Sequence, residues 1–81
     1  MQVTVLLFGY LREKAGRGRL SVQVPVGATV ESLVEWLARE VPLDPALLSR
    51  VCPAVNQEYR EAGAVLAEGD EVALIPPVSG G

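Results

Sequence analysis

Asp70-Glu71-Val72-Ala73-Leu74-Ile75-Pro76-Pro77-Val78-Ser79-Gly80-Gly81 is the stretch whose reading decides the fold. Its first half has the apolar content and alternation of a β-strand, with Val72 and Leu74 facing one way and Ala73 and Ile75 the other. Pro76 and Pro77 cannot continue a central strand or begin a helix interior, so the chain is expected to leave the body of the domain there. Residues 76–81 read as an extended arm. Gly80 and Gly81 lack a Cβ, so their backbone fits a slot too narrow for other residues, and the last atoms are a carboxylate. Most chain ends fray and do nothing. Here the expectation is that the Gly81 carboxylate is the functional group and that residues 1–75 form a rigid handle for the flexible tail 76–81.

The remaining composition narrows the chemistry. Eighty-one residues make one small domain, and 49% apolar content supplies a core without disulfides or metal. The single cysteine, Cys52, cannot form an internal disulfide, which fits a reducing cytoplasm. Histidine, the commonest general base and metal ligand, is absent, so no metal site is expected. No apolar run reaches the ~18 residues of a membrane span, and the N-terminus lacks a basic signal-peptide region. A net charge of −3 argues against nucleic acid as the main partner.

Taken in order, Val3 to Phe8 alternate on a period of two with both faces largely apolar, as in a central strand. Tyr10 to Ala15 suit a short helical turn closed by Gly16-Arg17-Gly18, and Arg19 to Val24 read as a second strand of an antiparallel hairpin. Thr29 is placed to cap the one long helix, whose stripe is Val30, Leu33, Val34, Leu37, Ala38 and Val41. Glu35 and Arg39 stand four apart in the favourable order, and Pro42 is read as the stop. Asp44-Pro45 signals a short second helix burying Leu47, Leu48 and Val51. Ala54-Val55-Asn56 and Tyr59-Arg60 read as short strands about a polar turn, and Leu66 to Asp70 turn the chain into the last strand. One helix packed across one face of a mixed sheet covers these apolar surfaces economically. The fold class is therefore α+β, a β-grasp or ubiquitin-like arrangement with the first and last strands parallel neighbours joined by a right-handed crossover.

Three segments also carry a resemblance. Val5-Leu6-Leu7-Phe8-Gly9-Tyr10-Leu11-Arg12-Glu13-Lys14-Ala15-Gly16, Ala54-Val55-Asn56-Gln57-Glu58-Tyr59, and the closure from Leu66 to Gly81 resemble the opening, middle and end of the small, ubiquitin-like, sulfur-carrying subunit of molybdopterin synthase. The departure is at Gly9-Tyr10, where that family often has Ala and a basic or polar residue; this is expected to touch a loop and leave the tail alone. The resemblance implies a non-catalytic carrier. An E1-like adenylyltransferase would use ATP to activate Gly81, and a sulfur donor protein would convert the acyl-adenylate to a thiocarboxylate. Pro76, Pro77, Val78, Ser79 and Gly80 would then be the tail that enters the large subunit. There the sulfur passes to cyclic pyranopterin monophosphate in molybdenum cofactor biosynthesis. A heterotetramer of two small and two large subunits is implied, with no cofactor held by this chain. A carrier for thiamine or tRNA thiolation and a ubiquitin-like modifier conjugated through Gly81 use the same acyl-adenylate, and an inert binding module is the third alternative.

The residues fit that chemistry. A carboxylate is a poor electrophile until joined to a leaving group, and a thiocarboxylate is a soft sulfur nucleophile, so the carrier itself needs no acid or base. Parity in the two neighbouring strands puts Leu6, Phe8, Ala73 and Ile75 on the face away from the helix, with Tyr59 at the edge, as an apolar partner interface. Gly16-Arg17-Gly18 precedes a strand and not a helix, which is wrong for a phosphate loop. Arg12, Lys14, Arg17 and Arg19 read as a solvated basic loop, and Glu31, Glu35 and Glu40 as a solvated helix face. Cys52 reads as a small core residue and Trp36 as a helix flank packed under the second helix.

Overall fold

The structure, a computed structural model, describes residues 1–41 and 43–77. The expectations placed on Pro42, Val78, Ser79, Gly80 and Gly81 lie outside the described residues. Along the chain run β1 (Gln2–Leu7), α1 (Gly9–Ala15), β2 (Arg19–Gln23), α2 (Val30–Glu40), α3 (Pro45–Leu48), β3 (Cys52–Val55), β4 (Glu58–Tyr59) and β5 (Glu71–Ile75). Among the described residues the strands form one mixed sheet in the order β2-β1-β5-β3-β4. β5 is central, parallel to β1 and antiparallel to β3, and β1 pairs antiparallel with β2.

Period-two alternation decides what each strand buries. Val3, Val5 and Leu7 of β1, Leu20 and Val22 of β2 and Val72 and Leu74 of β5 all enter the core. Val30, Leu33 and Leu37 meet them from α2, with Val34, Trp36, Ala38 and Val41 packed around them in half-buried positions. Burying a Leu or Val side chain is worth ~1.5–3 kcal/mol, so this single layer of helix on sheet supplies the main driving force.

The ends of α2 and α3 follow from their residues. The Thr29 hydroxyl accepts from the Ser32 N–H at 3.1 Å, and the Ser32 hydroxyl accepts from the Thr29 N–H at 2.9 Å, a reciprocal cap. Asp44 accepts from the Ala46 N–H at 2.9 Å, with Pro45 at the first helical position of α3. Glu35 and Arg39 do not come within 4.0 Å of each other as an ion pair, so their spacing adds little beyond solubility.

A second small network ties β5 to the β3–β4 turn. Asn56 and Gln57 have φ of 50° and 70°, the pair of left-handed residues that a tight two-residue hairpin needs. Asn56 accepts from the Glu71 N–H at 3.0 Å and donates through Nδ2 to Asp70 at 2.9 Å, while its own N–H donates to the Glu71 carbonyl at 2.8 Å. The other Asp70 oxygen accepts from the Ala67 N–H at 2.7 Å. The turn before β5 and the turn after β3 are thereby bolted together, which sets the register of the strand leading to Pro76.

Several element ends differ from the sequence reading. β1 stops at Leu7, with Phe8 still extended, α1 begins at Gly9 instead of Tyr10, and β2 ends at Gln23 instead of Val24. β3 spans Cys52–Val55 and leaves Asn56, expected in the strand, to the turn, and β4 runs over Glu58–Tyr59 instead of Tyr59-Arg60. The last two shifts follow from the two-residue turn at Asn56-Gln57, which pairs Glu58 with Val55 and Tyr59 with Ala54. Leu33 is fully buried in the α2 stripe. Leu33→Ala is expected to lower the unfolding free energy by ~2–5 kcal/mol in urea titrations. Thr29→Ala should cost about 1 kcal/mol through the lost cap, and a change at Leu33 no larger than at Thr29 would contradict this packing.

Candidate functional site

The face of the sheet away from α2 divides along the strands. Hydrogen-bonded register lines up Leu6 of β1 with Ala73 of β5, Ala73 with Ala54 of β3, and Ala54 with Tyr59 of β4. One row therefore crosses four strands as Leu-Ala-Ala-Tyr. Two alanines in the middle, flanked by larger side chains, leave a hollow. With Phe8 and Ile75 at the end where β5 finishes, and Gln57 and Glu71 at the other, these residues line an open concavity of about 360 Å³. Phe8 is 45% exposed and Tyr59 73% exposed, unusual for aromatic side chains without a partner. Toward the far end the same face turns polar, with Thr4 opposite Glu71 and Ser21 opposite Thr4.

All five residues expected on this face, Leu6, Phe8, Tyr59, Ala73 and Ile75, line the concavity. Ala54, Gln57 and Glu71 line it too, beyond the sequence expectation. Ala54 is legible as a strand residue; its place depends on the antiparallel pairing of β3 with β5, which no local pattern announces. Glu71 lies 4.0 Å from Arg19, a solvent-exposed pair of little energetic weight.

Cys52 corrects the sequence reading. It is exposed, not a core residue. β3 pairs Cys52 with Ile75 and Ala54 with Ala73, so alternation carries Cys52 to the same open face as the apolar row. The residue of β3 that turns toward the helix side is its neighbour Pro53, opposite Leu74.

Pro76 and Pro77 are half-buried at the end of β5. Gly9 corrects a second expectation: it is more than a loop residue. Its φ is +57°, and a Cβ built on it would stand 3.2 Å from the Pro76 ring Cγ. The first residue of α1 thus lies beside the root of the C-terminal segment. Val78, Ser79, Gly80 and Gly81 lie outside the described residues.

Arg12, Lys14, Arg17 and Arg19 are exposed, as are Glu31, Glu35 and Glu40. Trp36 is half-buried against the core. Among the described residues, no three His, Cys, Asp or Glu side chains gather as a metal site would require. No helix of the described residues is long and apolar enough to cross a membrane. A second groove of about 360 Å³ lies between α2, α3 and β3, over Val30, Val34, Leu48, Val51 and Pro53. None of its lining residues belongs to β1 or β5, so it stands apart from the strand that carries the C-terminal segment.

Known proteins agree with this geometry. The profile of the ThiS family matches residues 5–81. A molybdopterin synthase sulfur carrier subunit of Mycobacterium tuberculosis is 42% identical, over 100% of this chain and 99% of that protein. The protein of the same description from Arabidopsis thaliana is 36% identical, over 100% of this chain and 84% of its own length. Among solved structures, the small archaeal modifier protein 1 of Haloferax volcanii superposes with a TM-score of 0.81 at 32% identity, covering 95% of this chain and 98% of that one. Fold, open apolar face and an alignment that runs the length of the chain agree: the chain belongs to the ThiS family and has the β-grasp fold of the ubiquitin-like sulfur carriers.

Proposed function

We propose that this chain is the sulfur-carrier subunit of a molybdopterin synthase, a cytoplasmic, non-catalytic handle for the Gly81 carboxylate. The observation that carries the proposal is the apolar row Leu6–Ala73–Ala54–Tyr59, with Phe8 and Ile75, gathered beside the strand that leads to Pro76. The names of the Mycobacterium and Arabidopsis relatives support the same role.

In this proposal the open face gives affinity and the tail gives chemistry. The Gly81 carboxylate attacks the α-phosphate of ATP on an E1-like adenylyltransferase, and pyrophosphate leaves. A persulfide of a sulfur donor protein displaces AMP at the acyl carbon. A thiol of that donor then cleaves the acyl disulfide, leaving a thiocarboxylate on Gly81. Val78, Ser79, Gly80 and Gly81 enter the large subunit of a two-plus-two heterotetramer, where the catalytic groups reside and cyclic pyranopterin monophosphate receives the sulfur. This chain holds no cofactor, and ATP belongs to the activating partner. Pro76 and Pro77 restrict the base of the arm, which lowers the entropy lost on insertion.

A second reading, conjugation of Gly81 to a lysine of another protein, is favoured by the structural likeness to the archaeal modifier. Both readings share the acyl-adenylate and part at its fate.

Two experiments test the carrier reading. Removing Gly81, or adding one residue after it, should abolish sulfur transfer in an assay with activating partner, sulfur donor and large subunit, while the thermal melt stays that of the parent. Activity surviving either change would sink the mechanism. Phe8→Asp should raise the Kd for the large subunit about tenfold or more, the loss expected when a charge enters an apolar hot spot. Unchanged affinity in a folded Phe8→Asp protein would remove the open face from the interface.

A further inference from the structure

Charge is unevenly spread over this chain, and the proposed function uses none of it. Four of the seven basic side chains, Arg12, Lys14, Arg17 and Arg19, fall within residues 12–19, where Glu13 is the one acid. The other three, Arg39, Arg50 and Arg60, are outnumbered by the nine remaining acidic residues. A chain of net charge −3 therefore carries one locally positive edge. Strand directions fix where that edge lies. β2 runs antiparallel to β1 and β5 runs parallel to it, so β2 starts at the end of the sheet where β1 and β5 finish. The Leu7 N–H donates to the Gly18 carbonyl at 2.9 Å, which holds the α1–β2 connection at that end. Arg19 stands opposite Leu6 while its neighbour Leu20 turns into the core, so Arg19 continues the row Leu6–Ala73–Ala54–Tyr59 on the open face. Its side chain is 69% exposed and comes only to 4.0 Å from Glu71. Arg12 and Arg17 line a shallow concavity of about 570 Å³ with Gly9, Glu13, Gly16 and Gly18. The Arg12 side chain lies across Gly18, where a Cβ would stand 3.0 Å from its Nε. Among the described residues, no carboxylate comes within 4.0 Å of the charged groups of Arg12, Lys14 or Arg17. Arg12 and Lys14 suit the last turn of α1 through the helix dipole, but Arg17 and Arg19 lie beyond that helix.

We propose that Lys14, Arg17 and Arg19, with Arg12, form the charged rim of the partner interface, and that the large subunit meets them with a cluster of carboxylates beside the surface that covers the open face. This rests on the carrier reading for its partner, and on the continuity of Arg19 with the apolar row for its place. Two forces then act at different ranges. Burial of Leu6, Phe8, Tyr59 and Ile75 acts only at contact and holds the complex together. Charges reach about 10 Å at about 0.1 M salt, so the rim acts before contact. It turns the positive edge, and with it the end of the sheet where Pro76 leaves, toward the acidic cluster. Rim charges of this kind change the association rate and its salt dependence more than the dissociation rate. A local acidic cluster on a protein fits this edge better than nucleic acid or an anionic membrane does. Those are extended negative surfaces, and they would repel the acidic residues that dominate the rest of the chain.

The test separates the edge from net charge. Association with the large subunit is followed by stopped flow for the parent and two triple variants. One reverses the edge, with Lys14→Glu, Arg17→Glu and Arg19→Glu. The other reverses the remaining basic residues, with Arg39→Glu, Arg50→Glu and Arg60→Glu, and changes the net charge by the same amount. At about 0.1 M salt the edge variant should associate about tenfold or more slowly than the parent, with its dissociation rate changed less than about threefold. At about 1 M salt, where the screening length falls to about 3 Å, the two association rates should converge. The second triple variant should keep most of the parent rate, and Arg17→Lys with Arg19→Lys should keep all of it. Should the edge variant fail to fold in a thermal melt, Arg17→Glu alone, in the exposed turn before β2, should slow association about threefold with the same salt dependence. A folded edge variant at the parent rate, a slowing that persists at high salt, or equal slowing in both triple variants overturns the proposal. So does an edge variant that keeps its rate on the large subunit but loses binding to duplex DNA or phosphatidylserine vesicles, since the edge then serves another partner. A parent chain that does not bind the large subunit sinks the carrier reading and this proposal together; a parent that binds, with an edge variant that matches it, sinks this proposal alone.

Discussion

The parallel pairing of β5 with β1, in register from Thr4–Glu71 to Leu7–Leu74, is the constraint on which the rest of the molecule depends. It makes the last strand the central one of the sheet. A central strand must have both edges satisfied, by β1 on one side and β3 on the other, so its register cannot slip without breaking two ladders. The strand that carries the C-terminal segment is therefore held more firmly than an edge strand could be. Proline immediately after it ends the ladder at a defined residue. Firm pairing up to Ile75 and the end of pairing beyond it both come from one short run, Leu74-Ile75-Pro76-Pro77.

That central position also sets the two faces of the sheet against each other. Val72 and Leu74 turn to α2 and are fully buried, whereas Ala73 and Ile75 turn away and are only half-buried. In a domain of this size one helix is enough to close one face, and the other would ordinarily carry polar residues. It does so only at the far end, around Thr4, Ser21 and Glu71. Near Pro76 it carries Leu6, Phe8, Ala54, Ile75 and Tyr59 instead. Uncovered apolar surface gains nothing for folding; in the proposed function it is the face that meets the partner. In the proposed function this arrangement suits a carrier that visits more than one partner, because the body binds through burial of one face while the other maintains the fold.

Much of this is legible from local pattern. Alternation in residues 3–8 and 71–75 sets strand parity, and Thr29 and Asp44-Pro45 mark the helix starts, because each rests on neighbours a few residues apart. Leu6, Phe8, Ala73 and Ile75 can be brought together correctly since two parallel strands of known parity suffice to place them. What escapes is non-local. Ala54 and Cys52 reach the open face through pairing with a strand some twenty residues later, and an apolar neighbourhood in sequence suggests burial for Cys52 that the ladder denies. Asn56 reads locally as the end of a strand and Asp70 as a turn residue, and their shared network is visible only once both turns meet. Gly9 looks like a loop glycine, although its neighbour in space is Pro76, at the opposite end of the chain.

The central claim concerns a few atoms at Gly81, and intact-mass measurement of the chain isolated from cells that contain its activating partner and sulfur donor reads them directly. The account predicts a population in which one terminal oxygen is replaced by sulfur, localised to Gly81 by fragmentation and lost when the activating partner is deleted. A chain that carries an unmodified carboxylate whether or not that partner is present would contradict it.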